Sequence, residues 1–132
     1  MKKLLIAISM VTLLGTTQCT SAVDNELKAL DEVLIKGHDD VMPKSMKLGN
    51  LKEDVLKKAA EADSTTKQKA TEIANELQTA EDAMYKWMDD YSVALNDTED
   101  KAKRLEMYKK LQAEIEKIKA DTDKAMNDAK AF

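Results

Sequence analysis

The sequence predicts an all-α fold, an antiparallel three-helix bundle with coiled-coil-like hairpins, for three reasons. Apolar residues recur at steps of three and four along three long stretches, which places them on one face of each helix. The composition is 43% hydrophobic and 35% charged with three Gly and one Pro, which is typical of long helices. Two clusters of turn-forming residues, 63–66 and 96–100, separate the three stretches, and the first cluster also supplies residues that can cap the second helix.

The first predicted helix starts near Asp24 or Asn25, because either side chain can accept hydrogen bonds from the free backbone N–H groups at the start of a helix. Pro43 lacks a backbone donor and collides with the preceding turn. We therefore expect this helix to be kinked or broken at Pro43, between about Gly37 and Lys44. The apolar pattern continues in phase across the proline, at Leu27, Leu30, Leu34, Gly37, Val41, Leu48, Leu51, Val55 and Ala62.

The second helix is predicted from about Thr65 to Tyr91, and Thr98 is a good N-cap for the third. Short connections between amphipathic helices favour antiparallel neighbours. The apolar stripe of the second helix is Ala70, Ile73, Leu77, Ala80, Met84, Trp87 and Tyr91. That of the third is Leu105, Tyr108, Leu111, Ile115, Ile118, Thr122, Ala125, Ala129 and Phe132.

Residues 1–22 are predicted to be a signal peptide, and residues 23–132 the helical bundle domain. A charged start with Lys2 and Lys3 precedes an apolar segment, 4–14, and a small, polar segment, 15–22. Cleavage after Ala22 would leave an ordinary soluble N-terminus. Alternatively, Cys19 is the single cysteine and sits where a lipoprotein cysteine would be lipidated, although Gln18 before it is a poor match to that signal. Both alternatives place the mature protein in the bacterial envelope, in the periplasm or anchored to a membrane.

The charge of the mature chain argues against nucleic acid as a partner. Removing Lys2 and Lys3 from the 21 basic residues leaves 19 against 25 acidic residues, a net charge of −6. Such a chain repels phosphate backbones and anionic bilayers. We therefore expect membrane contact only through a lipid anchor, and a protein of the envelope or a soft monovalent metal as the partner.

A group of Met residues with the single His and the single Trp is the one chemically distinctive feature. His38 and Met42 are four residues apart on one helix face, as are Met84 and Met88, with Trp87 beside the second pair. In a helical hairpin that turns near residue 63, residues equally far from the turn face each other, since both helices rise by the same distance per residue. This places His38 opposite Asp89 and Met42 opposite Tyr85. The two pairs therefore lie at neighbouring levels, and Met46 and Met107 are further candidates nearby.

Thioether and imidazole donors select Cu(I) or Ag(I) over zinc, calcium or magnesium, and a Trp face attracts such a cation. The candidate metal site, an alternative to a purely structural role for these residues, is His38, Met42, Met84 and Met88 with Trp87 as a lid and Met46 or Met107 as reserve ligands. Two other interpretations stay open. One is that the Met residues fill a core beside a proline kink, and the other is that they form an adaptable surface for a partner helix. With one His and no Cys besides Cys19, the chain offers too few of the usual ligands for a structural zinc site. No catalytic arrangement is visible, so we predict a non-enzymatic protein with a structural or binding role.

Two segments carry a resemblance to a known family. They are His38-Asp39-Asp40-Val41-Met42-Pro43-Lys44 with Met46, and Met84-Tyr85-Lys86-Trp87-Met88 with Tyr91. They resemble a family of small exported proteins of Bacteroidota that is often labelled "viral A-type inclusion protein". The resemblance covers most of the mature chain and implies an exported helical protein, usually a lipoprotein, without an established activity. The ligand set is also similar to that of periplasmic copper and silver chaperones, which have a different fold.

Overall fold

The computed structural model describes residues 17–132, and confirms the all-α bundle. Four helices follow one another: α1, Thr17–Ser45; α2, Leu48–Lys58; α3, Ser64–Ser92; and α4, Lys101–Ala131. A π-helical turn, Val93–Asp97, extends the end of α3. No strand occurs in the described part of the chain. The predicted charged and apolar segments of the signal peptide lie outside the described residues, as does the side chain of Cys19.

Helices α1 and α2 form one bent rod, and α3 and α4 complete a bundle of three rods. The ion pairs Asp24–Lys101 and Lys44–Asp123 join α1 to α4 with rising residue numbers on both helices, so these two helices are parallel. Helix α3 runs in the opposite direction. Helix α1 packs mainly on α4, whereas α2 packs mainly on α3. The bend therefore lies where the main neighbour of the first rod changes from α4 to α3.

The rod breaks at residues 46–47, just beyond the predicted interval. Pro43 lies inside the last turn of α1, and the Met46 N–H still donates to the Met42 carbonyl at 3.1 Å. The Lys47 N–H donates to the carbonyl three residues back, that of Lys44, which tightens the chain and ends the helix. Contacts with α4 on both sides of Pro43 keep α1 helical past the missing donor.

Two of the predicted caps differ from the structure, and one is confirmed. Asp24 lies inside α1, which is described from Thr17, and its carboxylate pairs with Lys101 at 2.7 Å instead of capping. Asp63 caps α3 as expected and accepts the Thr66 N–H at 3.0 Å. The cap of α4 is Asp100 rather than Thr98. The π-helical turn carries Thr98 into a buried position, where its hydroxyl donates to a carbonyl of that turn.

The core consists of two apolar clusters, the aromatic cluster around Trp87 and the aliphatic cluster around Leu77. Ser45 and Thr122 lie between them on the apolar stripes of α1 and α4, and we refer to these two as the hydroxyl layer. Both side chains are buried, and neither hydroxyl has a hydrogen-bond partner among the described residues. The hydroxyl layer thus interrupts an otherwise continuous core.

Gly37 and Gly49 are expected to respond with opposite signs to replacement by alanine. A Cβ at Gly37 would lie 2.9 Å from Ile115 Cγ1, because α1 approaches α4 closely there. Overpacking of this kind costs about 1–3 kcal/mol, against about 1 kcal/mol gained by removing a helical glycine. A Cβ at Gly49 would meet only Glu81 Oε1, at 3.8 Å. Urea unfolding should therefore show Gly37→Ala destabilised and Gly49→Ala stabilised by about 0.5–1 kcal/mol; a stabilised Gly37→Ala variant would contradict the close approach.

Candidate functional site

Trp87 is the centre of the predicted site and links three helices. Its indole, on α3, is 2% exposed. The indole N–H donates to the carbonyl of Leu111 on α4 at 2.8 Å. On the α1 side, the imidazole of His38 stacks against the indole, with ring centroids 6.5 Å apart and planes 27° apart. His38 and Trp87 therefore lie next to each other, as the helix hairpin predicted.

The predicted Met ligands divide into three groups by burial. Met42 and Met88 are half-buried and pack against the aromatic cluster that contains Trp87. Met84 belongs to the interior of the same cluster and has 0% exposure. Met46 is 68% exposed and packs against neither cluster. The structure thus gathers His38, Met42, Met84, Met88 and Trp87 at one cluster and leaves Met46 outside it.

Met107, a further candidate, also packs against the aromatic cluster. Its sulfur lies 3.5 Å from the Thr98 hydroxyl oxygen, whose proton is donated to the Val93 carbonyl. This contact holds Met107 against the π-helical turn. It is a structural contact that the sequence did not indicate.

His38 presents one ring nitrogen for a ligand. Its Nδ1 lies 3.1 Å from Asp39 Oδ1, and Nε2 has no hydrogen-bond partner among the described residues. A carboxylate that accepts from Nδ1–H fixes the tautomer in which Nε2 carries the lone pair. The His38 side chain is 35% exposed.

A polar contact beside Trp87 was missed by the sequence analysis. Tyr91 stacks on Trp87 with centroids 5.4 Å apart and planes 9° apart, and Tyr108 lies 5.9 Å beyond Tyr91. The Tyr91 hydroxyl donates to Asp31 Oδ1 at 2.6 Å. Asp31 falls between Leu27 and Leu34 on the apolar stripe of α1, and an acid at such a position was the available signal.

The environment of the two tyrosines keeps their hydroxyls protonated. Burial raises the pKa of Tyr91 well above its usual value, and the hydrogen bond to Asp31 raises it further. Burial and the charge of Asp31 raise the pKa of Tyr108 to about 12. Both phenols are therefore donors at any physiological pH.

A second feature, the α3–α4 groove, lies between α3 and α4 and has a volume of about 590 Å³. Its apolar residues are Ala80, Ala83, Trp87 and Ile118. Ion pairs mark its rim, among them Glu76–Lys124 at 2.7 Å and Lys86–Asp90 at 2.5 Å. The groove is open because Ala80 and Ala83 of α3 have small side chains.

Within the described residues, no three His, Cys, Asp or Glu side chains converge as ligands for a metal ion. Across residues 17–132, no helix has the combined length and apolarity that crossing a membrane requires.

The chain matches no protein-family model, no curated protein and no solved structure in these comparisons.

Proposed function

We propose that this chain is an exported, non-enzymatic protein of the bacterial envelope that binds Cu(I) or Ag(I) at the edge between α1 and α3. The observation that carries the proposal is the stacking of His38 on Trp87, with Met42 and Met88 packed against the same cluster. The predicted signal peptide supports the location, and the absence of a catalytic pattern in the sequence supports a binding role.

The donor set suits a soft monovalent ion. His38 Nε2 and the sulfurs of Met42 and Met88 are neutral, polarisable donors on partly exposed side chains. The buried indole of Trp87 packs against the imidazole of His38 and so supports its position. Thioethers also stay available in an oxidising envelope, where thiols would form disulfides.

The other two Met residues take different roles in the proposal. Met84 lies beneath the ligands with no exposed surface, so it supports the site mainly through packing. Met46 is exposed, one helical turn from Met42 and beyond Pro43. It is a reserve ligand that captures the ion from solvent.

Titration of the mature domain with Ag(I), and with Cu(I) under anaerobic conditions, tests the proposal through the fluorescence of Trp87. We expect quenching that saturates at one ion per chain. The variants His38→Ala and Met42→Leu should lower the affinity at least tenfold, because each removes one of few donors, while the circular dichroism stays unchanged.

Met126 provides a matched control. It is half-buried like Met42 but packs against the aliphatic cluster, so Met126→Leu should bind as the wild type does. A flat fluorescence signal with both ions, or an equal loss of affinity in Met126→Leu and Met42→Leu, would overturn the proposal.

A protein-interaction module is the second candidate function. The α3–α4 groove favours it, because an apolar strip flanked by charged side chains is the form of site that accepts an amphipathic helix. The half-buried Met42 and Met88 would offer a second adaptable surface.

A further inference from the structure

An aromatic path runs from the His38 edge into the interior of the bundle. It consists of Trp87, Tyr91 and Tyr108, with successive ring centroids 5.4 Å and 5.9 Å apart. The first two rings are nearly parallel, at 9°. Their π systems are therefore close to contact, which is the arrangement in which an electron passes readily from one ring to the next.

A proton acceptor lies next to Tyr91, the middle ring of this path. Oxidised phenols are strong acids, so a tyrosine gives up an electron easily only where its proton has an acceptor. Asp31 Oδ1 lies 2.6 Å from the Tyr91 oxygen and already accepts its hydrogen bond. The third tyrosine of the chain, Tyr85, is 50% exposed and is not part of the path.

We propose that Trp87, Tyr91 and Asp31 form a relay that carries one-electron oxidation away from the Met-rich edge. The oxidant belongs to the class of one-electron acceptors that reach this edge from solvent. It removes one electron from the Trp87 indole. One electron then moves from Tyr91 to the oxidised indole, the Tyr91 O–H bond breaks, and the proton binds Asp31 Oδ1.

The products of the relay are a neutral indole, a neutral tyrosyl radical at Tyr91 and a protonated Asp31. The consequence is protection of the sulfurs of Met42 and Met88, which lie against the same cluster and would otherwise compete for oxidation. The relay requires no bound metal and is independent of the proposed ion site.

Transient absorption of the full chain, with a photogenerated ruthenium(III) polypyridyl complex as oxidant, tests the relay. All measurements use a Tyr85→Phe background, which removes direct oxidation of the exposed tyrosine. In that background we expect the indole radical to decay as the tyrosyl signal rises. Adding Tyr91→Phe, which keeps the ring but removes the hydroxyl, should lengthen the life of the indole radical at least tenfold.

The proton step has its own readout. In heavy water the decay of the indole radical should slow in the background protein, and Asp31→Asn should slow the decay and abolish this solvent isotope effect. The relay is overturned if the indole radical lives equally long with and without the Tyr91 hydroxyl. It is also overturned if Asp31→Asn leaves the decay and its isotope effect unchanged.

Discussion

Replacing Trp87 with alanine is expected to lower the free energy of unfolding by about 3–5 kcal/mol, the range for truncating a buried aromatic residue. The indole is almost fully buried, stacks with His38 and Tyr91, and donates to a carbonyl of α4. Its removal leaves a cavity where three helices meet. Urea unfolding followed by circular dichroism measures the loss, since the variant has no tryptophan fluorescence.

Two variants separate the contributions of the indole. Trp87→Phe keeps most of the apolar contact but loses the donor to the Leu111 carbonyl, so it should cost less than the alanine variant. Tyr85→Ala, at an exposed aromatic residue on the same helix, should stay within about 0.5 kcal/mol of the wild type. A loss below about 1 kcal/mol in Trp87→Ala would mean that the indole does not hold α1, α3 and α4 together.

The second large effect is expected at Met84, where alanine should cost about 2–5 kcal/mol. Met84 is fully buried in the aromatic cluster, and truncation leaves a void that its neighbours fill only partly. Met84→Leu conserves the volume and should cost less than about 1.5 kcal/mol. The exposed Met46 provides the control, since Met46→Ala should change stability by less than about 0.5 kcal/mol.

The same variants distinguish packing from ligation at Met84. An ion that binds only the folded state adds stability through its affinity, about 2.7 kcal/mol at a concentration of 100 Kd. If Met84 only packs, saturating Ag(I) adds the same increment to the wild type and to Met84→Leu in thermal or urea unfolding. A much smaller increment in Met84→Leu would instead make Met84 a ligand.

The helices and their buried faces were predictable because helical periodicity is a local property of the sequence. The stripe from Ala70 to Trp87 is buried at every predicted position. The break in the first rod lies at 46–47 rather than at Pro43, and α1 contacts α4 on both sides of the proline, at Asp40 and Lys44, which no local pattern encodes. The cap of α4 was missed for a similar reason, since a π-helical turn is not visible in the periodicity.

The candidate site was predictable in part from helix rise. Counting from the first turn placed His38 opposite Asp89, and the structure places it on Trp87, two residues away. Met42, Met46 and Met84 are buried to different extents because burial depends on the distances between helices. Counting residues from the turn does not give those distances. The contact between Asp31 and Tyr91 was missed because a single acid on an apolar stripe has no partner in its own segment.

The hydroxyl layer has a consequence for how the bundle opens. Ser45 and Thr122 contribute buried hydroxyls without partners among the described residues, at the level where the rod also bends, and we expect this cross-section to be the weakest in the core. We therefore expect the aliphatic end, made of α2, the start of α3 and the end of α4, to open to solvent as a separate unit. In such openings the aromatic end, with the edge that carries His38 and Trp87, is expected to stay closed.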